Sequence, residues 1–521
     1  MKIKKFGLLS FTVLLMAVSC SRDDDPTPAP TPPPPVATIT PDPINNFVYK
    51  AMNSWYYWQD KVPVLADNYF KTPNDYAMFI NGKTPDKLFY ELLYDYGNTD
   101  QFSWIENNNE IINSSARVAE VEDLTGLEVS LFPKGGGSNL YVALVNYVVP
   151  NSSADQKGIK RGDVITKVNG SYLTASNYGS LFSGSFTVTR AETVAVATVN
   201  NAYVVTTTDK AENIAISKTS IEENPIAHYQ VFNISGRKIG YLVYNGFKID
   251  FNDELNAVFG KMKTDGVQDL ILDLRYNGGG SLTTALGLGQ MVTGGYTGQP
   301  YVFLDFNSKH NAYDDFDNLK ATIDIYRINN GNQERTGETQ TINSLNLPRL
   351  YTLVSFQTAS ASELTVVSLN KYIPVTTIGY ATVGKFVGSN TLYDSPAQDY
   401  LSYENRNKNH NWKLQPITFA YYNKDKDPHP TVRYTNGDVV PGILPSEGNR
   451  VHPYEWIGKI GEFGVTTDPE LKRALELITG QSTFASTKRS VLQVDRLKVL
   501  SKPMNPAKGL FIPDMREFIK D

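Results

Sequence analysis

Three short segments carry residues able to do chemistry together. Thr358-Ala359-Ser360-Ala361-Ser362-Glu363 holds a serine among small residues, and Thr382-Val383-Gly384-Lys385 ends in a lysine 25 positions further on. Upstream of both lies the glycine-rich run Asp273-Leu274-Arg275-Tyr276-Asn277-Gly278-Gly279-Gly280. A serine hydroxyl is a weak nucleophile until a neighbouring base takes its proton, and a lysine serves as that base only where the fold keeps it partly neutral. An ordinary lysine titrates near about 10.4, so bringing it to about 7 takes roughly 4 kcal/mol of discrimination against the charged form, which burial can supply.

The elements that must position these groups are legible as alternating strands and helices. Mostly apolar runs predict strands at 239–244, 270–274 and 349–354 and another over Val375–Gly379, with helices over 253–264, 282–292, 361–371 and 468–475. Repeated strand-helix units imply a mostly parallel sheet with active groups at strand ends. Ser360 then opens a helix, where backbone N–H groups can stabilise a developing oxyanion. Thr358 and Ser362 are the competing hydroxyls, the first placed in the loop and the second more suited to capping or packing. Lys385 follows the strand that would run parallel to the one before Ser360, which brings both ends to one edge of the sheet. The glycines let the backbone approach a ligand closely and aim N–H groups at it, so Gly279 or Gly280, with Ala361, is assigned to an oxyanion hole. Asp273 and Arg275 are expected to hold the turn by pairing. A phosphate loop is disfavoured because no Gly-Lys-Ser/Thr follows the glycines.

The rest of the chain is organised around that core. Residues 44–117 read as an aromatic-rich helical domain, with Val48, Met52, Trp55 and Tyr56 at helical spacing, a stop at Lys61-Val62-Pro63 and a second amphipathic helix over 86–96. No chemistry is visible there. Residues 118–217 are β-rich, and Lys157-Gly158-Ile159-Lys160-Arg161-Gly162-Asp163-Val164-Ile165 followed by Asn169-Gly170 resembles a PDZ domain. In such domains a bound peptide adds as a strand and its terminal carboxylate sits among backbone N–H groups. Gly126-Leu127-Glu128-Val129 takes the place of the carboxylate loop, although Glu128 stands where a small residue is common. Residues 293–348 look polar and irregular, a surface excursion or a subdomain of its own, and 481–521 form a tail with no predictable docking.

Length and charge bound the remaining options. A chain of 521 residues exceeds what one core supports, so roughly two to four domains are expected. A net charge of −5 without any basic cluster interleaved with aromatics argues against nucleic-acid binding. The five histidines are scattered without metal-ligand spacing, so no metal or other cofactor is expected, and a Ser–His triad would need His410 or His429 delivered by a loop. Lys2, Lys4 and Lys5 precede an apolar run from Phe6 to Val18 that is short for a membrane span. The run ends at Ala17-Val18-Ser19-Cys20, which resembles the lipobox of bacterial lipoproteins and implies acylation at Cys20, the single cysteine in the chain. Acidic Ser21-Arg22-Asp23-Asp24-Asp25 and a proline-rich stretch to Pro43 follow, a pattern similar to the surface-export signals of Bacteroidetes lipoproteins or a plain solvated tether.

Taken together and in this order, the three segments resemble the carboxyl-terminal processing, or tail-specific, proteases. That family places a PDZ domain before a core with an Asp-Leu-Arg-x-Asn-x-Gly-Gly strand, a Ser-Ala-Ser-Glu nucleophile and a Thr-x-Gly-Lys base. The resemblance spans about residues 124 to 475 and implies a multidomain α+β chain with a crotonase-like α/β core, a Ser360–Lys385 dyad and peptide cleavage through an acyl-enzyme. Many members carry a glutamine four residues after the lysine to orient the dyad; here Ser389 stands there, a third member with shorter reach. The expected organisation is a signal peptide at 1–19, a tether at 20–43, the helical domain at 44–117, the PDZ-like domain at 118–217, the catalytic core at 218–480 and the tail at 481–521. The expected setting is the cell envelope, lipid-anchored at the outer membrane on its periplasmic or surface face, with exported or extracellular polypeptides as substrates. The alternatives are a non-catalytic peptide-binding lipoprotein with a vestigial site, and a surface scavenger using the same hydrolytic core.

Overall fold

The computed structural model describes residues 37–107, 122–182, 184–200, 202–329, 332–481, 500–501 and 510–511. Cys20, the signal peptide, most of the tether and most of the tail lie outside the described residues.

A five-stranded sheet forms the centre. Arg237–Tyr244, Asp269–Asp273, Leu350–Val354 and Val375–Gly379 run parallel in that order, and Ile226–Ile234 pairs antiparallel at the outer edge. Side chains alternate across a strand, and these strands are apolar on both faces because both are covered. Leu242, Tyr244, Leu270 and Leu272 face the helices Asn252–Asp265, Leu282–Thr293 and Ala361–Leu369, whereas Tyr241, Val243, Ile271, Leu353 and Ile378 pack on the helix Pro469–Thr479. The predicted strands and helices here sit within two residues of their observed bounds, except that the helix expected over 468–475 runs on to Thr479.

Two regions differ from the sequence reading. The N-terminal segment has a further helix at Pro73–Ile80, and the helix expected over 86–96 is Pro85–Glu91. These helices share one apolar core with the central sheet: fully buried Trp55 stacks on His310 at 3.7 Å and donates from Nε1 to the Asp399 carbonyl at 2.8 Å. A strand at Trp104–Asn107 then pairs with Trp412–Gln415. The stretch 293–348 is structural as well as peripheral. Its Pro300–Phe306 strand is interior to a second sheet, between Asp315–Asn318 and Ile417–Asn423, and that sheet continues through Val387–Ser389 to Leu510–Phe511. Only the hairpin Thr322–Asn329 with Asn332–Thr341 matches the expected excursion.

The PDZ-like sheet runs Leu500–Ser501, Leu127–Pro133, Tyr141–Val148, Val164–Val168, Phe186–Val199, Ala202–Asp209. Leu127, Val129, Leu131, Ala143, Val145, Ile165 and Val168 fill its own core. It meets the catalytic sheet through Arg161, whose guanidinium reaches the Tyr276 hydroxyl and Asp468 at 3.1 Å each.

Candidate active site

The glycine turn is built by Asn277. Its side-chain amide donates to the Tyr244 carbonyl at 2.8 Å and its Oδ1 accepts from Gly279 N–H at 2.9 Å, while its main-chain oxygen takes Ala359 N–H at 3.1 Å and the Ser362 hydroxyl at 3.0 Å. The turn and the serine loop are therefore one hydrogen-bonded unit. Gly279 and Gly280 have φ of +106° and +139°. A Cβ on Gly279 would sit 2.8 Å from Ser360 Cβ, and one on Gly280 would sit 2.4 Å from the Phe247 oxygen, so no other residue fits either place. Because Gly279 N–H is engaged by Asn277, the N–H groups left for an oxyanion narrow to those of Gly280 and Ala361.

Ser360 is fully buried and caps the helix Ala361–Leu369 with φ +60° and ψ −117°, a conformation strained for any side-chain-bearing residue. Such a sharp strand-to-helix turn presents a nucleophile outward from the backbone. Neighbouring hydroxyls are committed elsewhere: Thr358 donates to the Leu274 carbonyl at 2.8 Å, and Ser362 to Asn277. Asp273 and Arg275 pair as expected from the sequence.

Two buried side chains tie the serine loop to the lysine loop. Glu363 Oε2 accepts both Ser360 N–H at 2.9 Å and Lys385 N–H at 2.8 Å, and its Oε1 accepts Gly384 N–H at 2.7 Å and the Thr382 hydroxyl. Two main-chain nitrogens on one oxygen are necessarily close neighbours. On the other side, the Tyr421 hydroxyl lies 2.9 Å from the main-chain carbonyl oxygen of Ser360 and 2.7 Å from that of Lys385, its single proton shared between them. Burial pushes the Glu363 carboxyl up, against the donors from Thr382, Ser360, Gly384 and Lys385. Sequence reasoning quoted Glu363 within its motif but gave it no task, and nothing local marks Tyr421.

Lys385 is buried, 1 % exposed, with its amine 4.7 Å from the centre of the Phe102 ring. Burial lowers it from 10.5 to about 8, against the pull of Asp100 and Glu363. Phe102 comes from the N-terminal segment, which the sequence reading had left without chemistry. Asp100 fixes that loop by accepting from Tyr56 at 2.8 Å, Phe102 N–H at 3.1 Å and Ser103 N–H at 3.0 Å. Ser103 Oγ in turn accepts Ile417 N–H at 2.9 Å, pinning the loop to the strand that carries Tyr421.

Ser389 is buried, and its hydroxyl accepts from Gln415 Nε2 at 2.8 Å. A glutamine thus reaches this position from the Trp412–Gln415 strand, and its distance of 26 positions along the chain hid it from the motif. His410 lies 3.1 Å from Asp394, and His429 hydrogen-bonds the Tyr421 oxygen at 2.8 Å while stacked between Phe386 and Tyr422. Gly126, Leu127, Glu128 and Val129 lie at the start of the PDZ-like edge strand, in a different sheet from the serine and lysine loops; Gly126 accepts Val149 N–H at 2.9 Å and a bulge separates Glu128 from Val129.

Comparison with known proteins agrees with this architecture. The model of peptidase family S41 matches residues 238–416, that of the peptidase S41 N-terminal domain residues 43–104, and that of the PDZ domain residues 144–182. A carboxyl-terminal-processing protease of Picosynechococcus sp. is 23 % identical over 364 residues, covering 69 % of this chain and 71 % of that protein. The crystal structure of an S41 protease from Bacteroides fragilis aligns with a TM-score of 0.58 at 22 % identity, over 83 % of this chain and 97 % of that one. The chain carries an S41 peptidase domain together with an S41 N-terminal domain and a PDZ domain, and is a serine-type peptidase.

Proposed function

We propose that the protein is an endopeptidase that cleaves polypeptides with Ser360 as nucleophile and Lys385 as general base. The observation that carries this reading is the shared Glu363 oxygen, which sets Ser360 beside a buried lysine lowered to about 8. In the first half-reaction the neutral amine of Lys385 takes the Ser360 proton as Oγ attacks the scissile carbonyl. The N–H groups of Ala361 and Gly280 meet the oxyanion. The ammonium then returns the proton to the leaving nitrogen, giving an acyl-enzyme and a free amine. Water attacks the ester, Lys385 takes its proton, and collapse releases the carboxylate and restores the serine. Ser389, hydrogen-bonded to Gln415, supports the lysine loop in place of the glutamine seen in related motifs. The finer readings are selection of C-terminal ends by the PDZ-like domain through Gly126, Leu127, Glu128 and Val129, and an envelope location through a lipid at Cys20.

Purified protein is expected to cleave an unstructured peptide, and Ser360→Ala and Lys385→Ala each to lower kcat by about 10³-fold or more while remaining folded by circular dichroism. Retained turnover in either variant would remove the dyad assignment. Amidating the peptide's C-terminus should slow cleavage if the carboxylate is read, and an equal rate would dismiss that selection.

A further inference from the structure

After the last helix the described tail residues pair at two places, each at the end of a sheet. Leu500–Ser501 pairs antiparallel with the PDZ-like edge strand, Leu500 opposite Leu131 and Ser501 opposite Ser130. Leu510–Phe511 pairs parallel with Val387–Ser389, Leu510 opposite Gly388 and Phe511 opposite Ser389. Without these two contacts Leu127–Pro133 and Val387–Ser389 would each be the end strand of its sheet. An end strand exposes a row of unpaired N–H and C=O groups that accepts an extended polypeptide by strand addition. One edge follows directly on Gly126-Leu127-Glu128-Val129, and the other begins two residues after Lys385.

The sequence of the tail suits this double contact. Val499-Leu500 and Leu510-Phe511-Ile512 are short apolar runs, and Pro503 and Pro506 between them prevent one continuous strand. The antiparallel register makes the tail run toward Gly126 as its numbering rises.

We infer that the tail strands Leu500–Ser501 and Leu510–Phe511 occupy edges of the enzyme's own polypeptide track and compete in cis with substrate. This inference rests on the peptidase reading for its kinetic consequence, though not for the binding itself. Two short strand pairs are weak for a free peptide, but a tether starting at Gly480 raises the local concentration of the tail to the order of millimolar. Substrate must displace it. The device acts on KM, since the chemistry at Ser360 is untouched once the track is clear.

The test compares the full chain with one ending after Gln481, their folding checked by thermal melts. Truncation is expected to lower KM for an unstructured peptide about tenfold or more and to leave kcat within about twofold. A full-length Ser501→Pro/Leu510→Pro variant, which loses backbone donors but no chain, should behave like the truncation. Independently of turnover, a fluorescein-labelled peptide of residues 496–515 is titrated by anisotropy into Ser360→Ala forms of both lengths. Binding to the short form at least tenfold tighter than to the long one is expected. Equal binding to both, or binding to neither, overturns the inference, as does an unchanged KM in both the truncated and the proline-bearing chains. A chain that cleaves nothing yet shows the binding difference would discard the peptidase reading and keep the cis-occupant.

Discussion

Two cations are buried in this molecule within reach of the same motifs, and the fold treats them in opposite ways. Lys385 has its amine over the Phe102 ring, and burial brings it down to about 8 against the pull of Asp100 and Glu363. Arg275, wholly buried, touches Asp273 at 2.6 Å, Asp468 at 2.9 Å and Glu470, while Arg161 from the PDZ-like sheet takes the other flank of Asp468 at 3.1 Å. Burial pulls Arg275 down, but Asp273, Asp468 and Glu470 outweigh it and hold it far above the usual range. Within the cluster, burial pushes Asp468 up and the two guanidiniums pull it down to about 2, whereas burial carries Glu470 up to about 8. Two guanidiniums thus face three carboxyls, with Glu470 the one that burial pushes toward its neutral form. Burial alone does not make a cation reactive; isolation does, and pairing makes it structural.

The largest expected effect comes from breaking the paired site. Arg275→Met leaves Asp273 and Glu470 without their guanidinium and Asp468 with Arg161 alone, and should reduce unfolding free energy by about 3–5 kcal/mol, read by urea titration; a loss under about 1 kcal/mol would mean that the cluster is not what holds the Pro469–Thr479 helix on the central sheet. The isolated site predicts the opposite sign. Because the folded-state value of Lys385 lies below its ordinary 10.5, the fold is penalised for the charged form, fully so below pH 8 and progressively less as pH rises to 10.5. Lys385→Met is therefore expected to abolish turnover yet stabilise the protein at pH 7 by on the order of 3 kcal/mol, with the gain gone above pH 10.5. A destabilised variant at pH 7 would show that the lysine is paired after all. The smallest effect belongs to the wall of the pocket. In the parent, kcat/KM should climb with pH through about 8. Phe102→Ala, by letting water reach the amine, should move that limb up by about one pH unit, or about 1.4 kcal/mol, while Phe102→Leu leaves it in place. An unmoved limb in the alanine variant would exclude Phe102 from tuning the base.

What the sequence disclosed follows the range of the interactions. The parallel strands, the helix opened by Ser360 and the glycine turn are written in apolar runs and turn residues a few positions long. The parts that escaped depend on partners far along the chain. Phe102 reaches Lys385 across 283 positions, Gln415 meets Ser389 by strand packing, and Arg161 joins Asp468 from another sheet. Pro300–Phe306 was passed over for the same reason: its neighbours in sequence are polar, and its burial comes from pairing with Ile417–Asn423. A motif reading could place Ser389 where glutamine is common, but not see a glutamine supplied from a different strand.

The shared carboxylate of Glu363 also has a consequence in time. Three amide hydrogens, those of Ser360, Gly384 and Lys385, end on this one side chain, so none can exchange with solvent by a local fluctuation that leaves the others bonded to an unmoved acceptor. Their deuterium uptake should proceed as a single slow event, and Glu363→Gln should accelerate all three together. The Ser360 and Lys385 loops then share one clock, and open or close as a unit.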